Sequence, residues 1–198
     1  MAQLSAEAER ARRAAERSCG PCSACCTVLR VDELGKPAGV DCTHQRVGGG
    51  CRIHETRPPI CRGYHCLWLQ GGLEDDERPD RTGGIVDLEA VGAAVRLSIR
   101  EIRPGAFDAS PALQSIAERH RSQMTVRITD TADLENPDRP FRVLLADDVE
   151  QRVGGEQIEI FERGVLRETR RLPWMERMAR RLSIWRRQRA LNRLARGR

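Results

Sequence analysis

Lysine is all but missing from this 198-residue chain: Lys36 stands alone among 34 basic residues. An arginine bias this strong reflects genome composition before it reflects function. Aromatic residues make up only 4% of the chain, so any core must be built from Leu, Val, Ile and Ala. No apolar run approaches the ~18 residues of a membrane span, which argues against an integral membrane protein. The stretch Met1 to Glu7 has none of the hydrophobic core of a secretory signal, so a cytoplasmic location is expected. Cysteine too is absent, except between positions 19 and 66.

What is present is sufficient for folding. Hydrophobic residues are 39% of a chain long enough for one or two ordinary domains, so a core can form without cross-links. Charged residues are 32%, above the usual quarter, with a net charge of +5 and a pI near 9.0. The eight cysteines are Cys19, Cys22, Cys25, Cys26, Cys42, Cys51, Cys61 and Cys66. Scattered structural thiols would not crowd into one segment. In a reducing compartment such crowding points to metal ligands, whereas in a secreted module it would point to disulfides.

Cys19-Gly20-Pro21-Cys22 is a turn that can bring two sulfurs to one metal, and Cys25 and Cys26 follow directly. Thiolates are soft ligands suited to zinc or to iron–sulfur chemistry. The Cys-x-x-Cys-x-x-Cys run favours an iron–sulfur cluster, although zinc accepts the same donors. Side chains of neighbouring residues diverge, so Cys25 and Cys26 need not share a metal atom. A redox dithiol would expect a strand before the motif, but Ala6 to Arg17 reads as an alanine-rich helix, with Ser5 as N-cap. His44, His54 and His65 lie in the same segment and could join the ligands. With eight thiols present none of them is required, and a supporting or surface role is the default.

The order of these residues resembles the CxxCxxCC cysteine-cluster family, also called YkgJ-like, a zinc- or iron-chelating domain. The likeness is carried by the eight cysteines and by Arg57-Pro58 with Cys61-Arg62, and it covers residues 19 to 66. His54 stands where that family usually has an aromatic residue. The resemblance implies a metal or iron–sulfur site with all eight cysteines as candidate ligands. Flagellin lysine N-methylase carries a similar cluster, so an enzyme that modifies a protein side chain is the alternative. No Gly-rich strand–turn–helix that could cradle a methyl donor appears in residues 71 to 198. Gly48-Gly49-Gly50 reads as a flexible turn.

The expected architecture is α+β: a small irregular cysteine-rich metal-binding module plus a mainly antiparallel sheet with flanking helices. Residues 1–70 form the first unit and 71–83, rich in Gly, Pro, Asp and Arg, a linker. A small α+β domain over 84–170 follows, then an arginine-rich amphipathic helix over 171–198. Strands are expected at Ile85 to Val91, Val95 to Ile99, Thr125 to Thr129 and Phe141 to Ala146. Ile158 to Glu162 and Val165 to Thr169 should form a hairpin around Arg163-Gly164. Ser110-Pro111 opens a helix whose Leu113, Ile116, Ala117 and His120 share a face. Leu67, Trp68 and Leu69 are where the cysteine segment should pack on the remainder. Asp130, Asp133, Asp138, Asp147 and Asp148 read as turn carboxylates rather than an acidic site.

Residues 161–198 hold thirteen arginines against three glutamates. Met178, Leu182, Trp185, Leu191 and Leu194 give the terminal helix a rough apolar stripe. A protein partner or an acidic surface is the expected contact. Nucleic acid is less expected, for want of stacking aromatics or a recognisable module. The functional expectation is a metal-binding protein with a sensing, carrier or partner-supporting role. A purely structural zinc site is the third reading.

Overall fold

The structure, a computed structural model, describes residues 2–46, 48–130 and 139–196, and it does not describe side chains at 2–4, 187, 188 and 190–196. Seven strands form one sheet in sequence order: β1 (Gly84–Val91), β2 (Ala94–Glu101), β3 (Val126–Thr129), β4 (Phe141–Leu145), β5 (Val149–Gly154), β6 (Gln157–Glu162) and β7 (Val165–Arg171). All neighbours are antiparallel except β2 and β3. A parallel pair cannot be joined by a tight turn, so the chain crosses over between them through helices. With the helices described below, this is an α+β fold with a mainly antiparallel sheet.

Four short helices precede the sheet: α1 (Ala2–Glu16), α2 (Ala24–Val28), α3 (Pro59–Gly63) and α4 (Pro79–Thr82). The crossover carries α5 (Ala106–Ala109) and α6 (Pro111–Arg121), and α7 (Trp174–Arg196) ends the chain. Ser110 caps α6 by accepting from the Leu113 N–H, with Pro111 in the first turn. Leu113, Ile116 and Ala117 lie three and four residues apart, so they share a helix face, and all are buried. They pack on Leu97 and Ile99 of β2, Val126 and Ile128 of β3 and Leu144 of β4, which the strand register sets on one sheet face.

That cluster does not end at the sheet. It continues into Ala24, Val28, Cys66, Leu67, Trp68 and Leu73, so the cysteine segment and the sheet share apolar contacts. Residues 71–83, expected as a linker, form a 3₁₀ turn at Asp75–Glu77 and helix α4, and they bury Leu73, Glu77 and Thr82. A second, smaller cluster of Val153, Ile158 and Leu172, with Phe141 against it, sits on the opposite face near the start of α7. Arg180 of α7 stacks 4.9 Å from the Phe141 ring centre.

Helix α1 begins at Ala2, so Ser5 lies inside it rather than at its N-cap. Arg10 and Arg13 of α1, with Arg17 just past its end, clasp the 68–75 segment. Arg10 donates to Gln70 O, Arg13 to Leu73 O and Glu74, and Arg17 to Trp68 O and Asp75. The approach is close: a Cβ at Gly71, whose φ is +72°, would lie 2.1 Å from Arg10 O. Only glycine fits such a position.

The expected strands are present, and so is the hairpin at Arg163-Gly164, where both residues hold positive φ (49° and 74°) as a tight hairpin turn requires. Strand β5 was not expected from sequence. Its polar run Glu150-Gln151-Arg152 shows weak alternation, and Asp147 and Asp148, both at φ 58°, form the turn that starts it. Asp130 pairs with Arg139, and Asp133 and Asp138 lie outside the described residues. The Leu191 and Leu194 part of the apolar stripe lies outside the described side chains. Among the described residues no helix is long and apolar enough to cross a membrane.

On β1 and β2 an ion-pair network faces away from α6. Arg100 bridges Asp87 and Glu89, and Arg96 also binds Glu89. Burial pulls the Glu89 carboxyl up, but the two guanidinium groups pull harder and leave it at about 2, below its ordinary 4.5. A carboxylate depressed on folding stabilises above its unfolded pKa and loses that contribution as pH falls through its folded one. Glu89→Gln is therefore expected to be less stable than wild type at neutral pH. In denaturant titrations the gap should narrow between pH 4.5 and pH 2. A gap that stays constant across that window would remove charge pairing as its cause.

Candidate metal centre

The Cys19–Cys22 turn closes through a hydrogen bond from Cys22 N–H to Cys19 O (2.9 Å), with Gly20 at φ 52°. Helix α2 starts two residues later, so Cys25 and Cys26 occupy its first turn and point about 100° apart. Cys42 is drawn in by a backbone bond to Cys26 O (3.1 Å), and Cys51 by its bridge to Gln45. Gln45 in turn donates to Ser23 Oγ. Cys61 sits in α3, which Pro58 and Pro59 initiate. Cys66 is placed by the next residue, whose N–H bonds to Val86 O on the edge of β1 (2.9 Å).

These separate devices bring all eight cysteines to the wall of one pocket of ≈ 80 Å³. That is room for several waters' worth of ligand, given the ~10–15 Å³ one water needs. Every cysteine is a free thiol, and only Cys66 is fully buried. His44 and His54 also line the pocket, whereas His65 lies outside it, exposed and against Gly63 O. Among the described residues no three His, Cys, Asp or Glu side chains stand as a ready metal-ligand set. The thiols form a shared wall, and side-chain rotation is needed before several of them meet at one point.

Electrostatics divide the thiols. Cys25 and Cys26 share a hydrogen bond that holds the proton on Cys25 and brings Cys26 down to about 7, with Lys36 and Arg57 adding to the fall. Burial pushes Cys19, Cys22 and Cys61 up, and Cys66 up to about 11. Lys36 is buried, and its ammonium donates to three backbone oxygens, of Thr27, Leu29 and Pro37. It ties the loop after α2 into a cage and sets a positive charge at the pocket wall.

Several contributors escaped the sequence reading. Gly49 is not a flexible spacer: a Cβ there, at φ +104°, would lie 2.1 Å from Pro21 O, so the 48–50 turn is seated on the Cys19–Cys22 turn. Tyr64 lines the pocket and donates to both Asp87 oxygens (2.8 and 3.0 Å), which anchors that wall to β1. Arg57 and Trp68 line it as well. For Lys36 a signal existed, since a lone lysine in an arginine-rich chain has a specific task. Nothing in the local pattern marks Gly49 or Tyr64, because their partners, Pro21 and Asp87, lie far off in sequence.

The donor set fits a thiophilic metal: soft sulfur in excess, two flanking cations, and buried N–H groups of Arg57 and Trp68 that have no partner. Lys36→Met is expected to leave three carbonyls without their donor and to cost about 1–3 kcal/mol in chemical unfolding. Hydrogen exchange should rise first around residues 27–37. Unchanged stability would mean that water replaces the ammonium at no cost.

The chain matches no family model, no curated protein and no solved structure.

Proposed function

We propose that this chain is a cytoplasmic cysteine-cluster protein that chelates zinc or iron, the iron as ions or as an iron–sulfur cluster, with a sensing, carrier or partner-supporting role. The observation that carries the reading is the convergence of all eight cysteines on one pocket. Four separate stretches of chain contribute them, which core packing alone does not require. Bound metal would supply soft-ligand coordination energy and, for iron, electron storage. Lys36 and Arg57 would offset the negative charge of several thiolates. The likeness to the CxxCxxCC family rests on residues 19–66 and their spacing alone.

The C-terminal helix suits a partner. Trp174, Met178, Leu182 and Trp185 are all exposed, and helical spacing sets them within one stripe among arginines. An acidic protein surface with an apolar groove is the complementary partner.

Anaerobic purification followed by absorption spectroscopy and elemental analysis of the same sample tests the metal reading. Stoichiometric zinc, or iron with a broad band near ~400 nm, is the expected result. A protein that stays folded without metal, with its cysteines oxidised to disulfides, would overturn it. Cys22→Ser and Cys61→Ser are expected to speed hydrogen exchange across residues 19–70 far more than across β1–β7, because metal would supply the folding energy there. Equal acceleration in both regions would show that packing, not metal, holds the cysteine segment.

A further inference from the structure

We propose that Trp68 Nε1–H and Arg57 Nε–H are hydrogen-bond donors to the sulfurs of metal-bound thiolates, and so set how firmly those sulfurs hold the metal. The inference rests on the metal-binding reading above and deepens it.

Among the described residues, four buried side-chain polar atoms lack a partner, and three belong to the cysteine segment and its flank: Gln45 Oε1, Arg57 Nε and Trp68 Nε1. Buried donors are normally paired, and each exception calls for a reason. Arg57 and Trp68 both line the thiol pocket. Trp68 is 7% exposed, and the guanidinium groups of Arg17 and Arg78 lie over its ring, 4.5 and 5.9 Å from its centre. Those arginines are fixed in turn, Arg17 by Trp68 O and Asp75, Arg78 by Asp80. Burial and these contacts restrict the ring's movement. Pro58 restricts the backbone of Arg57, whose charge acts on Cys19 and Cys26.

The chemistry explains why these N–H groups stand unpaired beside so much sulfur. A thiol accepts hydrogen bonds weakly, whereas a thiolate accepts them as an ion. Metal binding requires thiolates, so the donors gain partners at the moment the metal is bound. Each N–H···S bond orients its sulfur and withdraws electron density from it, in the way outer partners tune metal ligands. Packing alone would use the tryptophan ring and leave its N–H without a role.

The test is anaerobic titration of the full chain with Co²⁺, whose sulfur-to-metal charge-transfer band reports thiolate ligation. Trp68→Phe keeps the ring and removes the N–H; Arg57→Lys keeps the charge and removes Nε. Both variants are expected to bind as much cobalt as wild type, with affinity weaker by roughly 10-fold or more. Their bands should move to longer wavelength, because the sulfurs become richer in electrons. Wild-type affinity and band position in both variants would overturn the proposal, as would a loss of metal-free stability with an unmoved band, which assigns Trp68 to packing. A wild-type chain that shows no thiolate–cobalt band would overturn the metal reading itself, a result distinct from either.

Discussion

The attachment of Leu67 and Trp68 to the edge of β1 is the constraint on which the rest of the molecule depends. Leu67 N–H bonds to Val86 O, and both side chains sink into the cluster that α6 completes from the other side. The cysteine segment has few apolar residues of its own. The sheet supports it through Leu67 and Trp68, and Arg10 and Arg13 of α1, with Arg17 just past its end, hold the flanking 68–75 segment. An edge strand offers unpaired backbone groups, and here one is taken up by the protein's own chain. The same bond fixes where Cys66 lies, and with it one wall of the pocket.

Polar contacts do unusual work in this architecture because aromatics are scarce. Trp68 is clasped by Arg17 and Arg78, Phe141 lies between Arg127 and Arg180, and Phe161 lies under Arg152. Arginine suits this role: its planar cation stacks on a ring while its edge bonds to a carboxylate. Arg142 shows both, stacking on Phe107 while binding Asp108 and Glu150. The arginine excess is thus partly spent on the frame that carries the thiols, and the exposed remainder gathers on β7 and α7.

The pocket itself combines opposites. Burial pushes the thiols of Cys19, Cys22, Cys61 and Cys66 up, while the hydrogen bond with Cys25, aided by Lys36 and Arg57, favours the thiolate at Cys26. Lys36, held by backbone carbonyls, and the unpaired N–H groups of Arg57 and Trp68 line the same pocket as the sulfurs.

The cysteine spacing, the alternation in β1 and β2, the Ser110-Pro111 helix start and the Arg163-Gly164 turn were legible in the sequence, because each is decided by residues within a few positions of one another. The α+β class followed from those local signals. Strand β5 was not legible, since its polar residues alternate weakly and gain strand geometry from β4 and β6 on either side. Nor was the burial of residues 71–83, whose Gly, Pro and Asp content reads as a linker until Arg13 and Arg17 are placed beside it. Which residues join the thiols in the pocket wall was likewise not legible. Tyr64 meets Asp87 and Trp68 meets Arg17 across long stretches of chain, and only folding sets those distances. Sequence determined where the thiols stand along the chain; the fold determined that all eight line one pocket.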